Sequence, residues 1–439
     1  MGVIGLTRAR RLLLATLIGL SVGACDTGKL LDVDLEGRVT EQDLQDPRMA
    51  VPLMNSVIAD VECSWDTWVA ASSHHSDEWL PASGNANMRR WGLRDITSDL
   101  ESYALGSCTS PYGLFTPLHT ARFMAASATE RIQAFDDAQV PNKAEMVATI
   151  AVYGVFPLIA FGETFCETPL AGGSQVLSPA EILGVAEGEL SDAIALAQAA
   201  GLDDLVQLAL VNRARVRLAL QDYDGAIDDA ELIEEGFSFV ATRDATPNRR
   251  QNSHFASING PEGAAAGQKH ASVAFSYRDV QWKGEPDPRV PVRWDGGLSF
   301  DFATAHWVHD KVTSYGTPVM MGSWREAQLY IAEAAAMTGD LDRARDILDD
   351  FHTRAGIPPL LEADAPDQDA VMLHVIEERR RELFVEGGHR LRDHLRWRGT
   401  DYEVPFLGEP GSDFPDGVDQ TGQPFESATC FPLARIEGP

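Results

Sequence analysis

The sequence predicts a mainly α fold, with helices paired into antiparallel hairpins, stacked in a superhelix and interrupted by one large irregular, loop-rich insertion that contains short β elements. Three observations predict it. Apolar residues recur at helical spacing across residues 115–135 and 143–161. Two later helix–turn–helix segments align with each other residue by residue. Between those segments, residues 236–322 lose periodicity, are rich in Gly, Asn, Ser and Pro, and yet hold Trp282, Trp294 and Trp307.

At the N-terminus, Arg8, Arg10 and Arg11 precede an apolar run over residues 12–22 that is too short to span a bilayer, the pattern of a signal peptide over 1–24. Leu20-Ser21-Val22-Gly23-Ala24-Cys25 resembles the lipobox of bacterial lipoproteins. The resemblance implies lipidation at Cys25 and anchoring by two or more acyl chains. Residues 25–39 then read as a lipidated tether and 40–439 as a single domain.

Thr40 can cap a helix whose apolar positions Val51, Met54, Val57 and Ile58 follow helical spacing. From 63 to 112 the periodicity fails, and Trp65, Trp68, Trp79 and Trp91 stand among Ser, Gly, Asn and Pro, which predicts ordered loops. Ser178-Pro179-Ala180-Glu181 announces a helix through a capping box with Pro at the first helical position. No stretch after the signal peptide reads as long enough to cross a membrane. Apart from Cys25, four cysteines remain, Cys63, Cys108, Cys166 and Cys430. Disulfides fit an exported chain, and the three possible connectivities stay open.

The repeat is the strongest fold signal. In its first copy a helix over 205–220 leads through Gln221-Asp222-Tyr223-Asp224-Gly225 into Ala226-Ile227-Asp228-Asp229-Ala230. In the second a helix over 324–337 leads through Thr338-Gly339-Asp340-Leu341-Asp342 into Arg343-Ala344-Arg345-Asp346-Ile347, so that Asp222 matches Asp340 and Ala226 matches Ala344. Small inner residues, Ala214, Ala226 and Ala230 in one copy and Ala334 and Ala344 in the other, allow close helix approach. Both segments resemble tetratricopeptide-type hairpins, which bury their apolar faces only by stacking. Helical repeats are therefore expected over about 113–235 and 323–386, with Trp-rich loops over 63–112 and the insertion over 236–322.

Four motifs, in order, make the chain similar to the SusD/RagB family of nutrient-binding outer-membrane lipoproteins. They are Leu30-Leu31-Asp32-Val33-Asp34 with Gly37-Arg38-Val39-Thr40; Phe161-Gly162-Glu163 with Pro169-Leu170; Tyr330-Ile331-Ala332-Glu333-Ala334 with Gly339-Asp340 and Arg354-Ala355-Gly356; and Glu378-Arg379-Arg380-Arg381-Glu382-Leu383-Phe384-Val385-Glu386-Gly387 with His389-Arg390 and Asp393. Phe431-Pro432-Leu433 resembles the family's closing motif, and Gly388 is one residue more than its usual run. The resemblance implies a SusD-like fold, a lipid-anchored place at the outer membrane and cell surface, and a SusC-like TonB-dependent outer-membrane transporter as partner. It also implies capture of an oligosaccharide or peptide by the early loops and the mid-chain insertion.

The residues themselves point away from chemistry. In the Glu378–Glu382 run, Glu377 can pair with Arg381 at i,i+4 and Glu378 with Arg381 at i,i+3, which lowers carboxylate pKa, the wrong direction for a general acid. His74-His75-Ser76-Asp77-Glu78 puts metal-type ligands on adjacent positions, which rarely converge on one ion. No catalytic residue, metal site or cofactor is expected, and a formal net charge of -30 argues against nucleic acid. For ligand the expected residues are Trp65, Trp68, Trp79 and Trp91, whose flat faces suit sugar rings, with Asn85, Asn87 and Arg89 for directional hydrogen bonds and Trp282 closing the same site. The alternative is an extracytoplasmic tetratricopeptide-type scaffold that binds only protein.

Overall fold

The computed structural model describes residues 40–108, 113–170, 175–246, 248–259 and 269–435; the signal segment, Cys25 and the tether to Val39 lie outside them. Residues 40–46 belong to a unit of their own, in which Thr40 Oγ1 accepts the Asp43 amide at 3.2 Å ahead of a short 3-10 turn, Asp43–Gln45; the helix that Thr40 was expected to cap begins only at Ala50. Everything from Pro47 onward belongs to the second unit.

That unit is mainly helical. Its elements begin with α1 (Ala50–His75), β1 (Trp79–Pro81), α2 (Ala86–Gly92), α3 (Glu101–Leu105), α4 (Phe115–Ala134), α5 (Lys143–Tyr153) and α6 (Phe156–Thr164). A short ribbon of β2 (Thr168–Pro169) and β3 (Val176–Leu177) leads to α7 (Pro179–Ala200), α8 (Asp203–Ala219) and α9 (Tyr223–Ala230). The insertion then carries β4 (Ser238–Ala241), β5 (Ala271–Val273), β6 (Gln281–Trp282), β7 (Glu285–Pro286), β8 (Val292–Leu298), β9 (Ala305–His309) and β10 (Val319–Ser323). It closes into α10 (Trp324–Thr338), α11 (Leu341–Ala355), α12 (Gln368–Glu382) and α13 (His389–Arg396). Every sheet among the described residues is an antiparallel two-stranded ribbon, β1 with β5, β4 with β10, β2 with β3, β6 with β7 and β8 with β9.

The two aligned hairpins are α8–α9 and α10–α11. Asp222 accepts the Gly225 amide at 3.1 Å and Asp340 the Arg343 amide at 3.4 Å, so the matched aspartates are the caps of the two second helices. All five inner alanines are buried, and α9 packs on α10, which stacks one hairpin on the next. The capping box of α7 forms as expected, and a second one, Ser323 with Glu326, opens α10.

Three elements differ from the sequence reading. The predicted loops from residue 63 are helix as far as His75, because α1 is buried on every side beyond Val57 apart from Ile58 and Ala59 and so has no polar stripe to set a period. The helix expected over 143–161 breaks at Gly154 and restarts with Pro157 in its first turn. Lys143–Thr164 nonetheless reaches the length and apolar character of a membrane span, more than the sequence reading allowed, and 72% of its apolar window is buried inside the fold. Last, α12 ends at Glu382, before Gly387-Gly388, and Val385 takes a left-handed φ of 56°.

Both cysteine pairs close. Cys63 joins Cys108 with Cα atoms 5.7 Å apart, and Cys166 joins Cys430 at 5.2 Å beside a parallel bridge between Phe165 and Phe431.

The recurrent motifs form one buried polar frame. Arg215 donates to both carboxylate oxygens of Glu163 at 2.7 and 2.5 Å and to the Gly387 carbonyl at 2.6 Å. Arg390 grips Asp77 at 2.6 and 2.5 Å, Arg379 reaches Asp393, Arg396 joins Glu333, and His389 meets Glu326 at 2.5 Å. Burial alone would raise Glu163, Asp77 and Asp393; the facing arginines hold all three below the usual carboxylate range. Gly388 has a reason here: a Cβ on it would stand 2.7 Å from the Trp68 ring, at a φ of 65°.

Among the described residues Glu78 makes no ion pair, and the Arg390 charge acts on it only weakly. It accepts from Ser73 Oγ at 2.6 Å and from the Val385 amide at 2.7 Å, and Ser73 Oγ also meets His254 Nε2 at 3.0 Å. Burial pushes Glu78 up to about 7. Because the folded state holds this proton more tightly than the unfolded chain, the stability tied to Glu78 is full below about pH 4.5 and is lost as pH rises through about 7. Glutamine reproduces the protonated acid, donating to Ser73 and accepting from Val385. Glu78→Gln should therefore gain melting temperature over the parent between pH 5 and 8, and a pH-independent difference would contradict the assignment.

Candidate functional site

The four early tryptophans are not at the surface. Trp65, Trp68, Trp79 and Trp91 are fully buried, a correction to the expectation that they face ligand. Trp65 Nε1 donates to the Met320 carbonyl and Trp68 Nε1 to Thr164 Oγ1, both at 2.8 Å, and the two rings lie 4.5 Å apart. Trp79 is edged by His74 and His254 at 4.8 and 4.9 Å, and Trp91 packs on Phe431 and Tyr103. Their neighbourhood of Ser, Gly and Asn suggested loops, but the indoles serve the core of the helical layers.

Trp282 is also placed differently from expectation. It does not close a site with the early segment: it packs against His352 and His374 beside a cavity of about 280 Å³ whose lining comes from α11, α12 and the loop between them. Another cavity, of about 360 Å³, opens between Phe237, Trp324 and Phe351, and its cations are already paired, Arg325 with Glu382, Arg354 with Glu235 and Arg289 with Asp287.

Three of the four most exposed aromatic side chains among the described residues lie in the insertion, where sequence reading chose Trp282 and left Trp294 and Trp307 without a role. Trp294 is 56% exposed, Phe302 73% and Phe275 44%. Trp294 in β8 pairs across the strands with Trp307 in β9, so both rings stand on one face of the ribbon. Trp307 is half-buried against the core cluster that contains Trp79 and Tyr277, which fixes the platform from below. The Arg278 guanidinium lies 4.8 Å from the Trp307 ring and 4.3 Å from that of Phe275. Phe275 continues to Phe414 at 5.6 Å, and Phe414 to Phe425 at 5.6 Å.

At the hairpin tip Asp301 accepts the amides of Ala303 and Thr304 at 2.9 Å each, a tight turn that sets Phe302 at a left-handed φ of 56° and turns its ring out to solvent. The early segment does meet the insertion here. A Cβ on Gly84 would stand 2.8 Å from the Phe300 carbonyl, and the Asp301 amide donates to the Ala82 carbonyl at 3.1 Å.

Of the predicted polar residues, Asn85 is spent as the cap of α2, accepting the amides of Asn87 and Met88 at 3.0 and 3.3 Å, while Asn87 is exposed. Arg89 is held by Asp419 and Thr421 and faces Asp301 at 3.6 Å. The turn around Asp419 belongs to the same C-terminal loop as Phe414 and Phe425, which makes the face continuous from the tip to the Phe275 end.

The charged run of α12 is structural. Glu377 pairs with Arg380 and with Arg381, each at 2.7 Å, while Glu378 turns to Arg289 and His352 and not, as expected, to Arg381. Burial would raise Glu377, but the two arginines hold it at about 2. His74 and His75 are buried, and burial brings His75 down to about 3. Among the described residues no group of three or more His, Cys, Asp or Glu side chains is placed to hold a metal.

Residues 325–423 match the model of the SusD family. No curated protein matches the chain. Among solved structures, a SusD superfamily protein from Bacteroides vulgatus ATCC 8482 superposes with a TM-score of 0.63 at 15% identity, covering 89% of this chain and 96% of that one. Surface glycan-binding protein A from Bacteroides uniformis gives 0.63 at 14%, covering 88% and 96%. A laminarin-binding SusD-like protein gives 0.58 at 14%, covering 84% and 98%.

Proposed function

We propose that this chain, a SusD/RagB-family protein by its C-terminal segment and its fold, is a cell-surface lipoprotein that captures an oligosaccharide and hands it to a SusC-like, TonB-dependent outer-membrane transporter. The observation that carries the capture is the exposed aromatic face of Trp294, Trp307 and Phe275, continued to Phe302 at the hairpin tip. Sugar rings present flat C–H surfaces, and an indole replaces water over them at small entropic cost because it is already held in place. Asn87, exposed on the early segment that meets this hairpin tip, offers a side-chain amide to hydroxyl groups.

The solved relatives named for glycan or laminarin binding support a carbohydrate over a peptide. The lipobox at Cys25 supports attachment to a membrane, and delivery to a transporter follows from the family. No chemical step belongs to this reading, in which the protein binds its ligand and passes it on unchanged.

The test is a glycan array on the purified protein, with Trp294→Ala and Phe275→Ala combined. A bound glycan should lose affinity by tenfold or more in the double variant with the melting temperature unchanged, because both side chains are exposed. Undiminished binding would move the site elsewhere. Absence of any glycan partner, together with co-purification of protein alone from native membranes, would favour the scaffold reading.

A further inference from the structure

We infer that Arg278 gives this face a preference for acidic sugar, its guanidinium receiving the carboxylate of an isolated uronic acid residue in an otherwise neutral glycan; the inference rests on the carbohydrate reading above.

The geometry leaves one edge of the guanidinium unused. Nε and Nη2 both donate to the Val273 carbonyl, at 3.0 and 2.6 Å, and the flat faces lie against Phe275 and Trp307. Among the described residues Nη1 has no hydrogen-bond partner, and it is not shut away from solvent. The Nη1–Nη2 edge is therefore open, preoriented by two rings and one carbonyl, and an open guanidinium edge suits the two oxygens of a carboxylate.

Arg278 also has no acid beside it among the described residues. The sequence has 66 acidic side chains to 36 Lys and Arg. Of the cations around Arg278, Arg89 is held by Asp419, Lys269 by Asp295 at 2.7 Å, and Arg293 by Asp310 at 3.2 Å. Among the described residues no carboxylate lies within ion-pair distance of Arg278; Asp413, whose charge it feels, has one carboxylate oxygen taken by the Ser276 amide at 3.0 Å. Burial lowers Arg278 to about 10, so its charge is incompletely solvated and persists at neutral pH. A half-buried cation left unpaired is costly in a chain with acids to spare, and a ligand carboxylate removes that cost.

The net charge of -30 limits what the ligand can be. Its field repels a dense polyanion, whereas a single carboxylate within contact range is governed by the local cation, because charges beyond about 8 Å are screened at physiological ionic strength. Hence the carboxylate is sparse along the sugar chain.

The experiment uses glucuronic acid-substituted xylo-oligosaccharides and galacturonate-capped galacto-oligosaccharides, each beside its carboxyl-reduced form, titrated calorimetrically. At least one acidic sugar should bind tenfold or more tighter than its reduced partner. Arg278→Gln should collapse that ratio towards one, and Arg278→Lys, which keeps the charge but loses the flat edge, should retain part of it. Melting curves confirm that both variants fold. Reduced sugars binding as well as the acids in every pair, a ratio unchanged in Arg278→Gln, or capture of free peptide carboxylates in place of sugar would each overturn the inference. Binding of neutral glycans that depends on Trp294 would leave the carbohydrate reading standing, and no sugar binding in any pair removes both.

Discussion

Arg215→Ala should destabilise the protein by about 3–5 kcal/mol, measured by urea unfolding. The guanidinium is buried, spans both oxygens of Glu163, holds the Gly387 carbonyl and stands 5.7 Å from the rings of Trp65 and Trp68. Truncation strands a buried carboxylate and a buried carbonyl together, and each keeps its full desolvation penalty. Arg215→Lys should recover only a minor part, since one ammonium cannot span two carboxylate oxygens and a carbonyl at the same time. A loss below about 1 kcal/mol would mean that Glu163 finds another partner, against the placement of α6, α8 and the 387–388 turn around one cation.

Removing the Cys166–Cys430 bridge, as a double serine variant, should cost about 3–5 kcal/mol of stability. The bridge closes a sequence separation of 264, so the unfolded chain gains more freedom than on loss of Cys63–Cys108, which closes 45. Melting with and without reductant, on each double variant, should rank the two bridges in that order. Equal losses would indicate that local packing, and not chain closure, sets their worth.

The elements that sequence exposed were those with one wet side. In the hairpins α8–α9 and α10–α11 the second helices carry polar outer faces and aspartate caps, and small residues line the inner side of each pair, so period and turn could be read together. The α7 start was legible for the same local reason, a side chain bonding its own backbone. The second half of α1, from Cys63 to His75, was not, because a helix covered all round leaves no contrast between its faces.

The same property misdirected the binding residues. Trp65 and Trp68 lie in that covered helix, Trp79 and Trp91 next to it, and tryptophan spacing alone does not distinguish an indole in the core from one in water. Trp294 and Phe302 were separable only once β8 paired with β9 and the Asp301 turn formed, which are contacts between strands and not patterns along one. Arg278 carries no local signal, since its meaning is a missing acid.

The far end of α1 is clasped by residues that arrive very late. Asp77 is bound by Arg390, 313 positions on, Glu78 by the Val385 amide, 307 positions on, and β1 pairs with β5. As the chain is made, α4, α5 and α6 can cover the flanks of α1 early, but its far end stays unclasped until almost the whole polypeptide has emerged. A chain cut before residue 385 leaves Asp77 and Glu78 buried without these partners and should lack a stable end to its first long helix, rather than fold as a smaller version of the whole.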